Sequence, residues 1–401
     1  MTQDRAVVVA VDSFKGSLTS NQACLAVARG WSRAEPDRQV LTVPVADGGE
    51  GTLDAALAAG FSAVSVRCHG ATGDLGTVDY ARRGDVAVIE MAACCGLERA
   101  DRVSGPPTVR RGLVASSAGL GEVMAAALRA GATSLIIGIG GSASTDAGAG
   151  MLEALGARLL EKDGSPVEPG AAGLAELEVV DLSELNPRLR EVSLTVACDV
   201  TSPLLGPSGA AAVFGPQKGL DGEAIDLADR AIGRFADTLE SGLGVRHRDD
   251  PGAGAAGGVG WALMCLGARY RPGAGAVLEW TRAAEKIARA EVVVTGEGRL
   301  DHQTMLGKLP SAIRTLAHDA GAQVWAVCGR CDLDEGERRR FDRVLELSAV
   351  EPDPNRSMAN AGVLLRDLVE QEVRTWVAGA DGPGEEVGGM PPARGLGPDM
   401  S

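Results

Sequence analysis

Short runs of β-branched and aliphatic residues alternate along the chain with amphipathic segments, and glycine-containing turns separate them. The run AVVVAV at residues 6–11 ends in a polar turn, after which a helical pattern begins near Ser20. The same order recurs at Ser134 to Ile139, where the next turn leads to a helix from about Gly148, and at Glu291 to Thr295. Because strands alternate with helices, the pattern predicts an α/β fold with mostly parallel sheets.

The last part of the chain predicts two more strands and a long helix. Gln323 to Cys328 and Arg343 to Leu347 are short apolar runs, and apolar residues recur at helical spacing from Met358 to Val377. Ser357 stands where a helix cap is expected. The segment 381–401 is rich in glycine and proline without periodicity, which predicts a disordered tail.

The composition is that of a globular chain with a strongly acidic balance. Its 401 residues carry a formal net charge of -15, and only 3% of them are aromatic. A negative field repels phosphate and anionic lipid, which argues against nucleic-acid and membrane binding. No apolar run approaches the ~20 residues that span a bilayer. The N-terminus also lacks the pattern of a signal peptide, so we expect a cytoplasmic protein.

Eight cysteines are spread over the chain, which is typical of small core residues rather than of a disulfide framework. Cys328-Gly-Arg-Cys331 is a lone C-x-x-C without the second pair that a zinc site needs. Chance is the simplest explanation of this spacing.

Lysines are rare in this chain, and their positions are informative. Only five occur, and three of them, Lys15, Lys218 and Lys308, are adjacent to a glycine. A lysine beside exposed backbone N–H groups can hold a phosphate or a carboxylate. An ordinary helix cap or turn explains any single Lys-Gly pair, but three such pairs favour anion binding.

Carboxylates occur in the same loops. They are Asp12, Asp47, Glu50, Asp146, Asp199, Glu297 and Asp301. Carboxylates beside an anion site indicate magnesium, which takes one or two of them together with phosphate oxygens and water. A further carboxylate could orient a substrate hydroxyl. Capping of a helix or an Asx turn is the commoner role for any one of them.

Other nucleotide-binding motifs match poorly. Gly307-Lys308-Leu309 lacks the hydroxyl residue and the upstream spacing of a Walker A loop. The segment from Gly138 to Ala143 has the G-x-G-x-x-A form of a dinucleotide fingerprint, but no acidic residue stands at the ribose position. A G-x-S-x-G elbow, which would support a serine hydrolase, is missing from the sequence.

Seven segments together resemble the bacterial type I glycerate kinase family, also called glycerate 2-kinases. They follow in family order over residues 11–20, 43–52, 136–151, 196–206, 213–219, 251–258 and 293–308. Three short stretches depart from the family pattern. Thr145-Asp-Ala-Gly148 stands in place of Asn-Asp-Gly-Gly, Thr201-Ser-Pro203 in place of Thr-Asn-Pro, and residues 116–119 in place of Thr-Thr-Tyr-Gly.

The resemblance implies two α/β domains, one inserted in the other, with the active site in the cleft between them. Residues 1–66 and 290–380 would build a Rossmann-like parallel-sheet domain, and residues 67–289 the inserted domain. It also implies ATP-dependent, magnesium-dependent phosphorylation of D-glycerate, with 2-phosphoglycerate favoured over 3-phosphoglycerate as product. A homodimer is left open.

Residue roles follow from the chemistry of that reaction. Backbone N–H groups of Gly138, Gly140, Gly141 and Ser142, with the helix start near Asp146, would cradle phosphates. Lys15, Lys218 and Lys308 would hold phosphates or the substrate carboxylate. Asp47, Asp199 and Asp301 are candidates for orienting the hydroxyl or, for Asp199 and Asp301 in particular, for binding magnesium. The alternatives are a kinase of another small hydroxy acid, a nicotinamide-dependent dehydrogenase and a ligand sensor without turnover.

Overall fold

A computed structural model of the chain describes residues 6–305 and 308–380. Within these residues there are thirteen strands: β1 Ala6–Val11, β2 Val40–Thr42, β3 Ser62–His69, β4 Leu75–Arg83, β5 Val86–Glu90, β6 Ser134–Gly138, β7 Arg158–Leu160, β8 Val179–Asp181, β9 Ser193–Ala197, β10 Arg269–Arg271, β11 Ala290–Leu300, β12 Gln323–Cys331 and β13 Arg343–Glu346. The same residues form seventeen α-helices: α1 Ser20–Ala34, α2 Thr52–Ala58, α3 Met91–Cys95, α4 Leu97–Ser104, α5 Val109–Val114, α6 Ala118–Arg129, α7 Ala149–Ala154, α8 Gly170–Leu174, α9 Ala210–Phe214, α10 Gly222–Leu243, α11 Val259–Cys265, α12 Gly273–Trp280, α13 Ala283–Ile287, α14 His302–Met305, α15 Leu309–Asp319, α16 Glu335–Arg338 and α17 Pro354–Ala380.

The first sheet has the strand order β13-β12-β11-β1-β2, and every neighbouring pair is parallel. Residues Val7 to Val11 are fully buried because helices cover both faces of this sheet. Val7 and Val9 pack in the cluster that contains α1 and α17, whereas Val8 and Ala10 pack in the cluster that contains α12, α13 and α15. A continuous apolar run is what a parallel strand buried on two faces requires.

The second sheet has the order β10-β9-β6-β5-β4-β3. Strands β10, β9, β6 and β5 are parallel, while β4 and β3 form an antiparallel edge. The predicted α/β class with mostly parallel sheets is therefore confirmed. A separate antiparallel pair, β7 and β8, lies outside both sheets.

Two helix starts were predicted from capping residues, and the structure confirms one of them. Helix α1 begins at Ser20, as predicted, because Thr19 and Gln22 form a reciprocal capping box. The predicted cap at Ser357 is wrong. Helix α17 starts at Pro354, which suits the first turn, and the Asp353 carboxylate accepts the N–H of Arg356 at 2.9 Å.

The domain boundaries remain a prediction. The strands of the first sheet come from residues 6–42 and 290–346, and those of the second from residues 62–271. Val277 and Ile287, on α12 and α13, share a core cluster with Val8 and Val293 of the first sheet. This packing favours a second boundary just before Gly273 rather than at residue 289. The tail predicted at 381–401 lies outside the described residues.

Candidate active site

A cleft of about 1090 Å³ opens between the two sheets. One side is lined by the loops that follow β1, β2 and β13 and by the ends of β11 and β12. The other side is lined by the loops that follow β6 and β9, with Phe214, Lys218 and Ala256. The carboxyl ends of the parallel strands of both sheets thus face one space, which is where ligands bind in α/β proteins.

Most of the predicted site residues meet in this cleft. Those that line it are Lys15, Asp47, Gly140, Gly141, Ser142, Lys218, Asp301 and Lys308. Gly138, Asp146 and Asp199 are outside this lining. Cys198 and Val200, on either side of Asp199, do line the cleft, so Asp199 lies at its edge.

The first side of the cleft carries accessible positive charge. Lys15 follows β1 and is exposed, and half-buried Lys308 is the N-cap residue of α15. Leu309 and Pro310, the first residues of this eleven-residue helix, also line the cleft. The helix N-terminus therefore adds its dipole and unpaired N–H groups to the charge of Lys308, and this combination attracts anions.

Carboxylates surround Asp47 on the same side. Burial raises the pKa of Asp12 well above its ordinary value, and the negative charge of Asp47 raises it further. Burial and, to a smaller extent, Asp47 likewise raise the pKa of Glu297 and of Asp199. The carboxylates repel one another in this arrangement, and a bound cation would relieve the repulsion. The described residues contain no ready-made cluster of three metal-ligating side chains.

Two of the predicted aspartates are partly engaged by the backbone. The Asp301 Oδ1 atom accepts the N–H of Gln303 at 2.9 Å at the start of α14, and the Asp199 Oδ1 atom accepts the N–H of Gly273 at 2.8 Å. Thr304, also on α14, donates its hydroxyl to Glu297 Oε1 at 2.6 Å. The contacts of Asp301 and Thr304 hold the loop after β11 in place, and the contact of Asp199 joins the loop after β9 to the start of α12.

The second side of the cleft is built around a buried lysine. Lys218 is 2% exposed, and its ammonium group donates to the Ser142 hydroxyl at 3.0 Å and to the Ser144 carbonyl. Burial lowers the pKa of Lys218 to about 7, although the charge of Asp146 acts in the opposite direction. Lys218 therefore stabilises the Gly140–Ser142 loop through its hydrogen bonds to Ser142 and Ser144.

Asp146 and Gly138 stabilise the fold beside the cleft. The fully buried Asp146 carboxylate accepts the N–H and the hydroxyl of Ser117, both at 2.8 Å, and the N–H of Gly150 at 3.2 Å. Backbone donors at this helix start are thus used internally, which argues against a phosphate contact there. A Cβ atom on Gly138 would lie 2.7 Å from the Gly48 carbonyl oxygen, so glycine permits the close approach of two loops.

Two arginines of the cleft were missed by the sequence argument. Arg299 and Arg330 are register partners on β11 and β12, and both line the cleft. The two Nε atoms each donate to one oxygen of Asp332 at 2.7 Å. A Gly-Arg pair near the end of each of two predicted strands is the signal that would have found them. Asp12 and Glu297, two of the loop carboxylates, also line the cleft.

Comparisons with known proteins find one named family. A family model described as the glycerate kinase family matches residues 7–377. A glycerate kinase of Bacillus subtilis is 43% identical over 82% of this chain and 86% of its own length. A glycerate 2-kinase of Escherichia coli K12 is 42% identical, with the same two coverages. A crystal structure of a proposed glycerate kinase 2 from Salmonella typhimurium LT2 has a TM-score of 0.79 and 37% identity, covering 94% of this chain and 99% of its own.

Proposed function

Because this chain belongs to the glycerate kinase family, we propose that it transfers the γ-phosphoryl group of ATP to a hydroxyl group of D-glycerate. The observation that carries the proposal is that Lys15, Lys308 and the N-terminus of α15 face the same cleft as Asp47. Phosphoryl transfer needs both kinds of group, cations for the phosphates and carboxylates for magnesium or for the hydroxyl. Family membership leaves no support for a nicotinamide-dependent dehydrogenase.

Magnesium fits beside Asp47. The oxygen ligands are of the type that magnesium prefers, and the pKa of Asp12 and of Glu297 is raised by burial and by the negative charge of Asp47. When bound, magnesium would neutralise charge on the transferring phosphates. Asp199 and Asp301 remain candidates at the edge of this group, although one oxygen of each accepts a backbone N–H.

Asp12 is the best candidate to accept the proton of the glycerate hydroxyl. It follows the carboxyl end of β1 in the cleft, and burial raises its pKa, which makes its carboxylate a stronger base. The hydroxyl oxygen would then form a bond to the γ-phosphorus while the bond to the β,γ-bridging oxygen breaks and ADP leaves.

The remaining residues have binding and positioning roles in this proposal. Lys15 and Lys308 hold phosphates and the glycerate carboxylate, since both are accessible from the cleft. Backbone groups of Gly140, Gly141 and Ser142 contact the nucleotide phosphates. Lys218 positions that loop through Ser142 and does not itself touch the nucleotide.

Purified full-length protein with ATP, magnesium and D-glycerate tests the proposal. We expect glycerate-dependent release of ADP and, by nuclear magnetic resonance, a phosphoryl group on carbon 2. Asp12→Asn should lose most turnover, whereas Lys162→Ala, an exposed lysine outside the cleft, should keep it. Turnover with another hydroxy acid but not with glycerate would show that glycerate is not the substrate. Absence of ADP release with glycerate and with every other hydroxy acid would contradict the kinase assignment.

The cellular location and the oligomeric state are further expectations. Within residues 6–305 and 308–380 there is no helix with the length and apolar character needed to cross a membrane. A cytoplasmic location and a homodimer both stay predictions.

A further inference from the structure

The cleft has an apolar extension at the start of α17. It lies beyond the end of β13, where the chain makes a short 3₁₀ turn before the helix begins. We call this extension the α17 lobe and define it by the lining residues Leu347, Ser348, Glu351, Pro352, Met358 and Ala361. Four of these six side chains are apolar, and none is positively charged. The lobe therefore suits an uncharged part of a ligand rather than a phosphate.

Strand order places the lobe at one end of the cleft. In the order β13-β12-β11-β1-β2, the lobe follows β13 and Asp47 follows β2, so the two lie at opposite edges of the sheet. Adjacent strands are about 4.8 Å apart, and the four spacings between these edges add up to roughly 19 Å. This distance is on the scale of an extended nucleoside triphosphate. One ATP molecule can thus reach from the lobe to the carboxylates around Asp47.

Exposed cations lie between these two ends. Arg330 is on β12, Arg299 is on β11 and Lys15 follows β1, and all three are exposed and line the cleft. Along the edge of the sheet, the order is therefore an apolar lobe, positive charge and then carboxylates. ATP with bound magnesium has the complementary order of a neutral base, anionic phosphates and a cation near the γ-phosphate. This match gives the direction in which the nucleotide would lie.

Met358 forms an exposed surface of the lobe. The Ser17 hydroxyl donates to the Met358 carbonyl oxygen at 2.6 Å, and a Cβ atom on Gly16 would lie 3.1 Å from Met358 Cε. These contacts hold the start of α17 against the loop that carries Lys15. Met358 is nevertheless 46% exposed, whereas Leu365, further along the same helix, is fully buried. A methionine at this place offers a polarisable surface on which an aromatic base can pack.

Glu351 gives the lobe a hydrogen-bond acceptor. Its Oε1 atom accepts the N–H of Asp353 at 3.1 Å. Among the residues that the structure describes, no basic side chain pairs with Glu351, so its second oxygen is available to a ligand. Adenine carries an amino group at position 6 that donates to a carboxylate, whereas guanine carries a carbonyl there that a carboxylate repels. The lobe should therefore prefer ATP over GTP.

The other apolar part of the cleft has different neighbours. It lies on the second side and contains Val200, Phe214 and Ala256. The cation of that lining, Lys218, is 2% exposed and donates to the Ser142 hydroxyl. Phosphates attached to a base in this place would meet no exposed positive charge on the same side. The position of the exposed cations thus favours the α17 lobe.

We propose that the α17 lobe binds the adenine base of ATP, with Met358 packed against the base and Glu351 accepting its 6-amino group. This inference rests on the proposed function, because it takes ATP as the phosphoryl donor. The phosphates then pass Arg330 and Arg299, and the γ-phosphate lies nearest the carboxylates around Asp47.

A photoreactive nucleotide locates the base directly. 2-Azido-ATP carries its azide on the adenine ring, and light attaches the ring to neighbouring side chains. The full-length protein is illuminated with this nucleotide and magnesium, without glycerate, and is then digested with trypsin. Peptides 344–356 and 357–366 together contain the whole lobe. We expect the adduct on one of these two peptides, and we expect excess ATP to prevent its formation.

Variants test the two side chains. Met358→Asp should raise the KM for ATP about tenfold and leave the KM for glycerate within about twofold, because it removes only the contact with the base. Val363→Asp is the matched control, since Val363 is 52% exposed on the same helix and outside the cleft lining, and it should change neither KM. Glu351→Gln should reduce the preference for ATP over GTP about tenfold, because an amide can donate to the guanine carbonyl.

The outcomes distinguish this inference from the proposed function. ATP-protected labelling of peptide 191–218, which contains Val200 and Phe214, would overturn the lobe assignment and leave the kinase reaction intact. An unchanged KM for ATP in Met358→Asp, or an unchanged nucleotide preference in Glu351→Gln, would also overturn it. Absence of ATP-protected labelling from every peptide would contradict ATP binding and both proposals with it.

Discussion

Lys15 and Lys218 stand next to glycine in the sequence but lie on opposite sides of the cleft in different surroundings. Lys15 is exposed, so its ammonium group is free to meet a ligand. Lys218 is 2% exposed, and its ammonium group donates hydrogen bonds to the Ser142 hydroxyl and the Ser144 carbonyl. A buried ammonium group needs hydrogen-bond acceptors within the protein, whereas an exposed ammonium group is solvated by water until a ligand binds. The first side of the cleft thus offers positive charge to a ligand, whereas the lysine of the second side stabilises a loop that lines the cleft.

Replacing the exposed lysine tests the first side and should have the largest effect. Lys15→Ala removes one charge-assisted contact to the ligands, which should lower kcat/KM about 30- to 1000-fold, or about 2–4 kcal/mol. Its free energy of unfolding should stay within about 0.5 kcal/mol of the wild type. Steady-state kinetics and urea denaturation measure both, and near-normal kinetics would remove Lys15 from the site.

Replacing the buried lysine tests the second side. Lys218→Met leaves the Ser142 hydroxyl and the Ser144 carbonyl without their donor, so we expect the free energy of unfolding to fall by about 2 kcal/mol. Urea denaturation at pH 7 measures this change. A fully stable variant with impaired nucleotide binding would mean that Lys218 contacts the ligand after all.

The pH dependence of the free energy of unfolding tests the burial of Lys218. Burial lowers the pKa of Lys218 to about 7 in the folded state, below the ordinary 10.5. Between pH 7 and pH 10 the unfolded chain therefore binds more protons at this residue, and the stability of the wild type should rise with pH relative to Lys218→Met. Urea denaturation of the two proteins over this pH range measures the difference.

The two arginines on the first side should have a smaller effect than Lys15. Arg299 and Arg330 both pair with Asp332, and Arg299 also lies 4.0 Å from Asp301, so their positive charge is already partly compensated. Both are largely exposed, and we expect Arg299→Ala or Arg330→Ala to weaken ATP binding about 3- to 10-fold. Isothermal titration at two salt concentrations should find a smaller loss at high salt. Arg271→Ala, an exposed arginine paired elsewhere with Glu279, is the matched control.

The smallest expected change concerns a strained residue on the second side. Ala147 has φ of 49°, is fully buried and donates its N–H to Gly257 at 2.9 Å. Ala147→Gly relieves a left-handed conformation that costs about 1–2 kcal/mol but loses a buried methyl worth ~0.8 kcal/mol. We expect a net gain of about 0.5 kcal/mol in thermal or urea denaturation.

Ala149→Gly is the control for this change, because Ala149 is the buried first residue of α7 and has no positive φ. It should destabilise the protein by about 1 kcal/mol. Equal effects of both substitutions would contradict the strain at residue 147.

Local patterns predicted the local parts of this molecule. The AVVVAV run, the start of α1 and the polar loops were found because apolar periodicity and capping act over a few residues. Burial of Lys218 was not predicted, since it depends on loops that are distant in sequence. The close approach of Gly298 and Gly329 was missed for the same reason, because it joins two strands. The inserted arrangement came only from the family resemblance.

Strand β1 is synthesised before every other strand of the described residues, yet it lies inside its sheet, between β2 and β11. Its second neighbour is complete only when residues 290–300 have left the ribosome. Until then Val7 to Val11 present an open apolar edge, although residues 62–271 already contain every strand of the second sheet. Pairing across such a distance gives a high contact order and slow closure. The N-terminal segment is therefore the part of the nascent chain that we expect to need protection from aggregation.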